Sequence, residues 1–313
     1  MGVGKGTSNA ADGESALISA VRAGDTGLVR ILLHGDSDPD LRDAAFCLAV
    51  RMRAGHIAQL LLQYGADPGQ SGQEGLLPLS EAVDSGSPAL FEALLDHEIR
   101  RSHPESELLE ARDLARRWHE TGVEAELRRR TGSRDAIVRT PVQDDEYNSV
   151  DEFTLGGMTV RDGHGAILTY VEELLGVRTS FDELMDRAWA HAGQENHTTW
   201  SRVAILLAGR CDQATWTAAA ALRTNPDPLV RKTACHTVAR GGDNDPAFVE
   251  AMAAALDDTD RLVQLAAVYG LAVRDDERCV EAALRLGPPQ RGSLEEEGYL
   301  DAVWRYERRR DNR

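Results

Sequence analysis

The N-terminal third of the chain alternates apolar and polar residues with the period of an α-helix. Leu17, Ala20 and Val21 are spaced at i, i+3 and i+4, which places them on one face of a helix. A second face of the same kind follows over residues 28–33, after a glycine at which the chain can reverse. The pattern predicts two amphipathic helices that pack together as a hairpin.

The hairpin pattern recurs twice more, at offsets of 29 and 33 residues. Six apolar columns match in the three copies: Leu17, Phe46 and Leu79; Ala20, Ala49 and Ala82; Val21, Val50 and Val83; Leu28, Ile57 and Leu90; Leu32, Leu61 and Leu94; Leu33, Leu62 and Leu95. Gly24, Gly55 and Gly86 are assigned to the turns between paired helices, with a shortened turn before His56 in the second copy. Repeats of this length are typical of solenoids.

The three copies resemble ankyrin repeats. In residues 77–86, LPLSEAVDSG, Pro-Leu opens the first helix and Gly ends it, while LLLQYGADP at residues 60–68 follows the second helix and loop. The usual Thr-Pro-Leu-His opening is reduced in the first two copies, so their hairpin fingers are expected to be short. Residues 108–130 are expected to form a fourth, capping copy with a polar outer helix. The resemblance implies that residues 14–130 bind another protein on a concave face built from the first helices and the loops.

Residues 131–160 interrupt this pattern. TPVQDDEYNSVDEF is acidic and has few aliphatic residues, which favours an exposed linker, and LGGMTV after it is compatible with a short strand or a turn. A pair of helices is predicted over residues 161–195. Within Asp162-Gly-His164-Gly, we expect Asp162 to cap the first of these helices.

A second repeat begins near Trp200. Asp227-Pro228-Leu229-Val230-Arg231 recurs in part as Asp260-Arg261-Leu262-Val263-Gln264, at an offset of 33 residues. Residues 196–287 resemble HEAT repeats of the short bacterial type, and the resemblance gives Asp227 and Arg231 structural roles as a helix cap and a tie between turns. A final helix is predicted within residues 288–313, with Leu300, Val303 and Trp304 as its apolar stripe.

Charge narrows the choice of partners. The net charge is −17, and residues 131–195 alone carry 13 acidic and 5 basic groups. Binding to nucleic acid or to an anionic membrane is therefore disfavoured. The four cysteines form no close pairs and are expected to be buried thiols in a reducing compartment. Residues 1–13 are expected to form a disordered tail without a signal peptide, and the location predicted is cytoplasmic.

The fold predicted is an all-α solenoid of stacked helical hairpins, ankyrin-like and then HEAT-like. No catalytic set, cofactor motif or metal cluster is recognised, which favours a non-enzymatic scaffold that binds another protein. The alternative is a HEAT-type enzyme, such as an alkylbase DNA glycosylase or a chromophore lyase, and it rests on fold analogy. The candidate partner-binding residues are polar positions on the expected concave faces: Arg22, Arg51, Arg53, Asp84, Arg116, Lys232, His236 and Gln264.

Overall fold

The computed structural model describes residues 15–35, 38–69, 77–95, 103–191, 194, 196–210, 212–240, 246–291 and 293–311. It divides into a first unit, residues 1–177, and a second unit, residues 178–313. The tail predicted over residues 1–13 lies outside the described residues. The described helices include none whose length and hydropathy would let it span a lipid bilayer.

Three helical hairpins begin the first unit. They are α1 (Ala16–Arg22) with α2 (Thr26–Leu33), α3 (Pro39–Arg51) with α4 (Gly55–Gln63), and α5 (Pro78–Ser85) with α6 (Pro88–Leu94). Each helix also packs on its counterpart in the next hairpin, so α1, α3 and α5 form one layer and α2, α4 and α6 the other. Most aligned apolar columns lie in the resulting core. Leu28 is an exception at 41% exposed, because α2 belongs to the first hairpin and no earlier one covers it.

The turn of the second hairpin is not shorter than the others: three residues separate α3 from α4, as they separate α1 from α2, and two separate α5 from α6. In each turn, a residue of positive φ precedes the N-cap of the second helix: Gly24, Arg53 and Gly86. The backbone amide of each donates to a carbonyl three residues earlier, as Arg53 does to Val50 at 2.9 Å. The prediction of a shortened second turn at Gly55 is therefore wrong. Gly55 is the first residue of α4, and Arg53 occupies the left-handed conformation that glycine takes in the other two copies.

A fourth hairpin and a β-sheet complete the first unit. Helices α7 (Glu105–Thr121) and α8 (Val123–Thr131) lie where a capping copy was predicted, and α7 packs on α5. Strands β1 (Val138–Gln143), β2 (Ser149–Leu155) and β3 (Met158–Arg161) then form an antiparallel sheet in the order β1-β2-β3. The chain is mostly helical, but the prediction of an all-α fold is wrong here, because the segment expected to be an exposed linker contains this sheet.

Local chemistry explains the sheet. Phe153 and Leu155 of β2 alternate with partly exposed residues and pack against Trp118 and Leu127. Gly156 and Gly157 both have positive φ and connect β2 to β3 by a two-residue turn, the preferred geometry for a tight β-hairpin. The sheet is thus an amphipathic element that covers one side of the fourth hairpin.

Helix α9 (His164–Leu174) follows β3 and packs on α6 and α7. The N-cap of α9 is Gly163, not Asp162, and it makes no side-chain cap bond. Asp162 instead accepts a hydrogen bond from the amide of Asp151 at 2.8 Å, which joins the end of β3 to β2. The second helix expected in this segment, α10 (Phe181–Trp189), belongs to the second unit and packs on α11.

The second unit is helical throughout its described residues. After α10 come α11 (Thr198–Gly209), α12 (Gln213–Ala221), a short 3-10 helix (Leu222–Thr224), α13 (Pro228–Arg240), α14 (Pro246–Ala255), α15 (Arg261–Ala272), α16 (Arg278–Leu286) and α17 (Leu294–Asp311). Helices α11, α13, α15 and α17 pack side by side in that order. Helices α12, α14 and α16 each pack on the helix that follows.

The apolar stripe predicted for α17 faces the wrong way. Leu300 and Trp304 are each 55% exposed, whereas Gly298 and Ala302 are buried. A Cβ at Gly298 would overlap the backbone of Tyr269, so the absence of a side chain lets α17 approach α15 closely. Small residues, and not the large ones, therefore decide which face of α17 packs inward.

Candidate partner-binding site

Arg22 and Arg51 are the most exposed of the eight candidate residues. They are the last residues of α1 and α3, in equivalent positions of the first two hairpins. Their guanidinium groups lie at helix C-termini, where positive charge complements the helix dipole. Both are accessible to a partner on the edge that carries the first-helix ends.

Arg53 connects the second hairpin to the sheet. Its guanidinium donates to Glu152 Oε2 at 2.6 Å and to the carbonyl oxygen of Thr159 at 2.8 Å. Burial and the nearby charge of Arg161 lower the pKa of Arg53, and the carboxylate of Glu152 opposes them. The left-handed turn therefore aims a cation at the sheet and pairs it there.

Asp84 lies at the centre of a polar cluster beside Trp118. It accepts hydrogen bonds from Trp118 Nε1 at 3.0 Å and from both terminal nitrogens of Arg130, at 2.6 and 2.7 Å. Arg130 also stacks over the Trp118 ring, 4.5 Å from its centroid, and bonds Glu126. The hydrogen bond from Arg129 lowers the pKa of Glu126 to about 2 despite burial. The cluster ties α5, α7 and α8 together.

His164 stacks on the other side of this cluster. Its ring is parallel to Trp118, with centroids 4.7 Å apart and an interplanar angle of 11°. Burial lowers the pKa of His164 to about 4, although Asp84 and Asp162 partly oppose the effect. His164 is therefore neutral at physiological pH and serves as a packed aromatic ring in the first unit.

The remaining candidates also have partners within their own unit. Arg116 donates to Glu172 at 2.5 Å, and Gln264 donates to the carbonyl of Asp258 at 2.6 Å. Lys232 and His236, on α13, lie 3.3 and 3.2 Å from the buried carboxylate of Glu295 on α17. These contacts hold the four side chains within their own unit. That the same side chains also contact another protein stays a prediction.

The loop between β1 and β2 supplies a cap to α6. The side chain of Asp144 is fully buried and accepts hydrogen bonds from Ser87 Oγ and from the amide of Ala89, both at 2.7 Å. Asp144 Oδ1 also accepts a hydrogen bond from Arg161 Nη1 at 2.8 Å. A carboxylate at a helix N-terminus is favoured by the free amides and by the helix dipole. The acidic loop is thereby held against the third hairpin.

A groove of about 670 Å³ lies beside this loop. It runs past the turns between paired helices and along the starts of the second helices. Its apolar lining comes from Ala54, Ile57, Ala89, Ala93, Leu95 and Tyr170. Its charged lining comes from Arg53, Glu92, Asp144 and Asp145, which gives an excess of acid. A concave, partly apolar site with a few charged groups is the usual form of a ligand site.

The groove and the eight candidates overlap at Arg53 alone. Sequence reasoning missed the rest because Asp144, Asp145 and Tyr170 reach the groove from the sheet and from α9. The turn residues themselves carried a usable signal. Arg53 aligns with Gly24 and Gly86 at the same offsets of 29 and 33 residues as the apolar columns, so an arginine stands where its neighbours have glycine.

Comparison with known families agrees with the geometry of the first three hairpins. Residues 17–105 match the ankyrin repeat family in three copies. No curated protein matches the chain at a significant level. Ankyrin repeats generally mediate protein–protein interaction. Residues 17–105, which include all but the first residue of α1 and the whole of α2 to α6, therefore contain three ankyrin repeats.

Proposed function

We propose that this protein is a non-enzymatic scaffold whose ankyrin repeats bind a segment of another protein in the groove beside Asp144. The observation that carries the proposal is the groove itself, which combines ankyrin turns with the acidic loop of the sheet. Arg22 and Arg51 extend the surface along the neighbouring helix ends. Arg53 acts as a support, since it bonds the sheet whose loop borders the groove. Asp84 bonds Trp118 and Arg130, which are not part of the groove lining.

The lining favours a partner segment that carries a basic side chain next to an apolar one. Glu92 is exposed at the groove, and Asp145 places a second carboxylate in its lining. Asp144 is paired with Arg161, and Arg53 is paired with Glu152, so the acid open to a partner comes from Glu92 and Asp145. Ala93 and Tyr170, both partly exposed, offer contact area to the apolar residue. Complementary charge would orient the segment, and apolar burial would supply most of the affinity.

Selection from a random peptide display library against the full chain tests this function. We expect the selected peptides to be enriched in Arg or Lys beside an aliphatic or aromatic residue. Glu92→Arg should weaken their binding about tenfold or more, because it places like charges in contact. The matched control is Glu110→Arg on α7, an exposed residue outside the groove. Selected peptides that bind the Glu92→Arg variant as well as the native chain would contradict the proposal.

We further propose that residues 196–287, within the second unit, form a HEAT-like array. Its support is the repeated capping of the second helices: the amide of Leu229 bonds Asp227 at 2.9 Å, and the amide of Leu262 bonds Asp260 at 2.8 Å. Arg231 bonds both carboxylate oxygens of Asp258 at 2.8 Å, which links α13 to the loop before α15. Lys232, His236 and Gln264 are proposed as the polar positions of its partner surface.

The enzymatic alternative gains no support from this unit. A DNA glycosylase of this type needs basic side chains free to meet phosphate groups. Among the described residues, Lys232 and His236 are paired with the carboxylate of Glu295 instead.

A further inference from the structure

Helix α17 is anchored by one face and exposed on the other. Gly298 and Ala302 pack against α15, and Glu295 is buried beside Lys232 and His236. At the other end, Arg305 bonds the carbonyl of Ala272 at 3.0 Å, which satisfies the C-terminus of α15. These contacts fix the orientation of α17, so its outward face is a stable surface.

The outward face carries two large apolar side chains one helical turn apart. Leu300 and Trp304 are each 55% exposed, and they lie opposite Ala302 at 100° per residue. The Arg308 guanidinium lies 5.2 Å from the centroid of the Trp304 ring. Tryptophan and arginine are enriched among interface hot spots, and Leu300 adds apolar area beside them.

Acid predominates at the start of α17 and arginine towards its end, where Arg308 lies next to the exposed Glu307. Glu297, exposed, lies one turn before Leu300, and Arg308, exposed, lies one turn after Trp304. Eleven residues separate Glu297 from Arg308, which is about three helical turns, so both charges lie along the same side. The midpoint of Leu300 and Trp304 is Ala302, and the midpoint of Glu297 and Arg308 falls beside it.

This arrangement is complementary to itself when a second helix runs in the opposite direction. We propose that α17 joins two copies of this chain in an antiparallel contact through its outward face, about a two-fold axis at the level of Ala302 along the helix. Leu300 of one copy packs on Trp304 of the second copy, and Glu297 of one copy pairs with Arg308 of the second. A two-fold interface uses the same patch twice, so each pair forms two times. A parallel contact would instead bring like charges together.

The contact is small, so we expect it to be weak. A helix of 18 residues is roughly 27 Å long at 1.5 Å per residue, and only its central turns carry apolar groups. We therefore expect reversible association that depends on concentration, in the manner of a transient interface. A dimer of this kind would present two copies of the ankyrin groove, and the self-association stands whether or not that groove binds a peptide.

Sedimentation velocity of the full chain over a range of concentrations tests the contact. The native chain should shift from monomer to dimer as concentration rises. Trp304→Ala should weaken association about tenfold or more, since removal of a central aromatic anchor has effects of that size. Ile205→Ala is the matched control, because Ile205 is 61% exposed in the same unit but lies on α11. Circular dichroism checks that both variants remain folded.

A charge exchange distinguishes the antiparallel contact from any other. Glu297→Arg alone and Arg308→Glu alone should each be monomeric, because each variant brings like charges together at both ends of the contact. An equimolar mixture of the two variants should dimerise, since every end then pairs opposite charges. A native chain that is monomeric at all concentrations overturns the proposal. So does a mixture that behaves as the sum of its two components.

Discussion

The two units stabilise neighbouring helices through contacts of different sequence range. In the first unit, the cap on α6 comes from Asp144, 57 residues after Ser87, and Arg53 bonds Glu152, 99 residues away. In the second unit, arginines bond carbonyls or carboxylates of the adjacent hairpin, as Arg231 does with Asp258 at a separation of 27 residues. Arg274 likewise donates to the carbonyls of Val238 and Ala239 at the end of α13.

The comparison teaches where a repeat protein can acquire a new surface. Contacts between adjacent hairpins repeat along the chain and leave the surface regular. The sheet that follows the fourth hairpin contacts repeats far earlier in the chain and breaks that regularity at one place. The groove beside Asp144 lies at this place. Disruption of the first unit should therefore propagate through the sheet, whereas the second unit should respond only to its own local bonds.

The largest expected effect is at Leu61, which is fully buried between repeats on α4. Leu61→Asp should reduce the free energy of unfolding by about 4 kcal/mol, because it buries a carboxylate without a partner. Gln63→Asp, at an exposed position of the same helix, is the control. Urea unfolding followed by circular dichroism measures both. Unchanged unfolding of Leu61→Asp would show that the repeat register is wrong.

Gly86 tests the contact between the third repeat and the sheet. A Cβ there would overlap the carbonyl of Arg161, and the φ of +68° is itself unfavourable for alanine. Gly86→Ala should therefore cost about 3 kcal/mol or more. Gly24→Ala isolates the backbone contribution, since Gly24 has a φ of +70° and a Cβ there would meet nothing within 4 Å. It should cost about 1 kcal/mol. Equal losses in urea unfolding would mean that the sheet does not press on Gly86.

Lowering the pH should destabilise the two units over different pH ranges. The folded first unit holds the pKa of His164 at about 4, below the ordinary 6.5, because the ring is buried. Between pH 6.5 and 4 the imidazole of His164 is protonated in the unfolded chain but not in the folded chain. The free energy of unfolding therefore decreases as the pH is lowered through this range, by up to about 3 kcal/mol. His164→Phe should remove this loss and keep the stack on Trp118.

In the second unit, the contribution of Glu295 to stability is lost over a different and lower pH range. Burial alone would raise the pKa of Glu295, but His236 and Lys232 together hold it well below the ordinary 4.5. Its contribution is present above pH 4.5 and is lost only at lower pH. Glu295→Gln should leave the slope between pH 6.5 and 4.5 unchanged. Urea titrations at a series of pH values check both variants, and a native slope retained in His164→Phe would contradict the assignment.

The smallest expected effect is at Arg53. Arg53→Ala removes the bonds to Glu152 and Thr159 and keeps the strained φ of +56°, at a cost of about 2 kcal/mol. Arg53→Gly removes the same bonds but relieves the strain, so it should be about 1 kcal/mol more stable than Arg53→Ala. Thermal unfolding of the pair measures the difference. Identical stabilities would mean that the turn at Arg53 is not left-handed.

The sequence predicts the repeated hairpins well because their contacts are local and periodic. The apolar columns recur at fixed offsets, and buried residues such as Phe46, Leu61 and Leu79 occupy them. The ties at Asp227 and Arg231 follow from the same locality, and the structure confirms both.

The segment LGGMTV, which is compatible with a short strand or a turn, contains the turn and most of β3, but β1 and β2 were missed because a charged residue interrupts the alternation of β2. Asp151, Phe153 and Leu155 form one buried series in β2, but the first of them is acidic. Asp151 is tolerated there because Arg139 on β1 pairs with it across the strands. Pairing across strands depends on the register, which the composition of an acidic segment does not reveal. The groove was missed for the same reason, since its loop is positioned by the sheet.

Hydrogen exchange at β2 tests the central claim most directly. The claim is that the acidic segment within residues 131–160 is folded as part of the first unit. The amides of β2 that bond β1 or β3 should exchange at least about 100-fold more slowly than in an unstructured peptide. Gly86→Ala should reduce this protection and leave that of α15, in the second unit, unchanged. Exchange of the β2 amides at the rate of an unstructured peptide in the native chain would contradict the account.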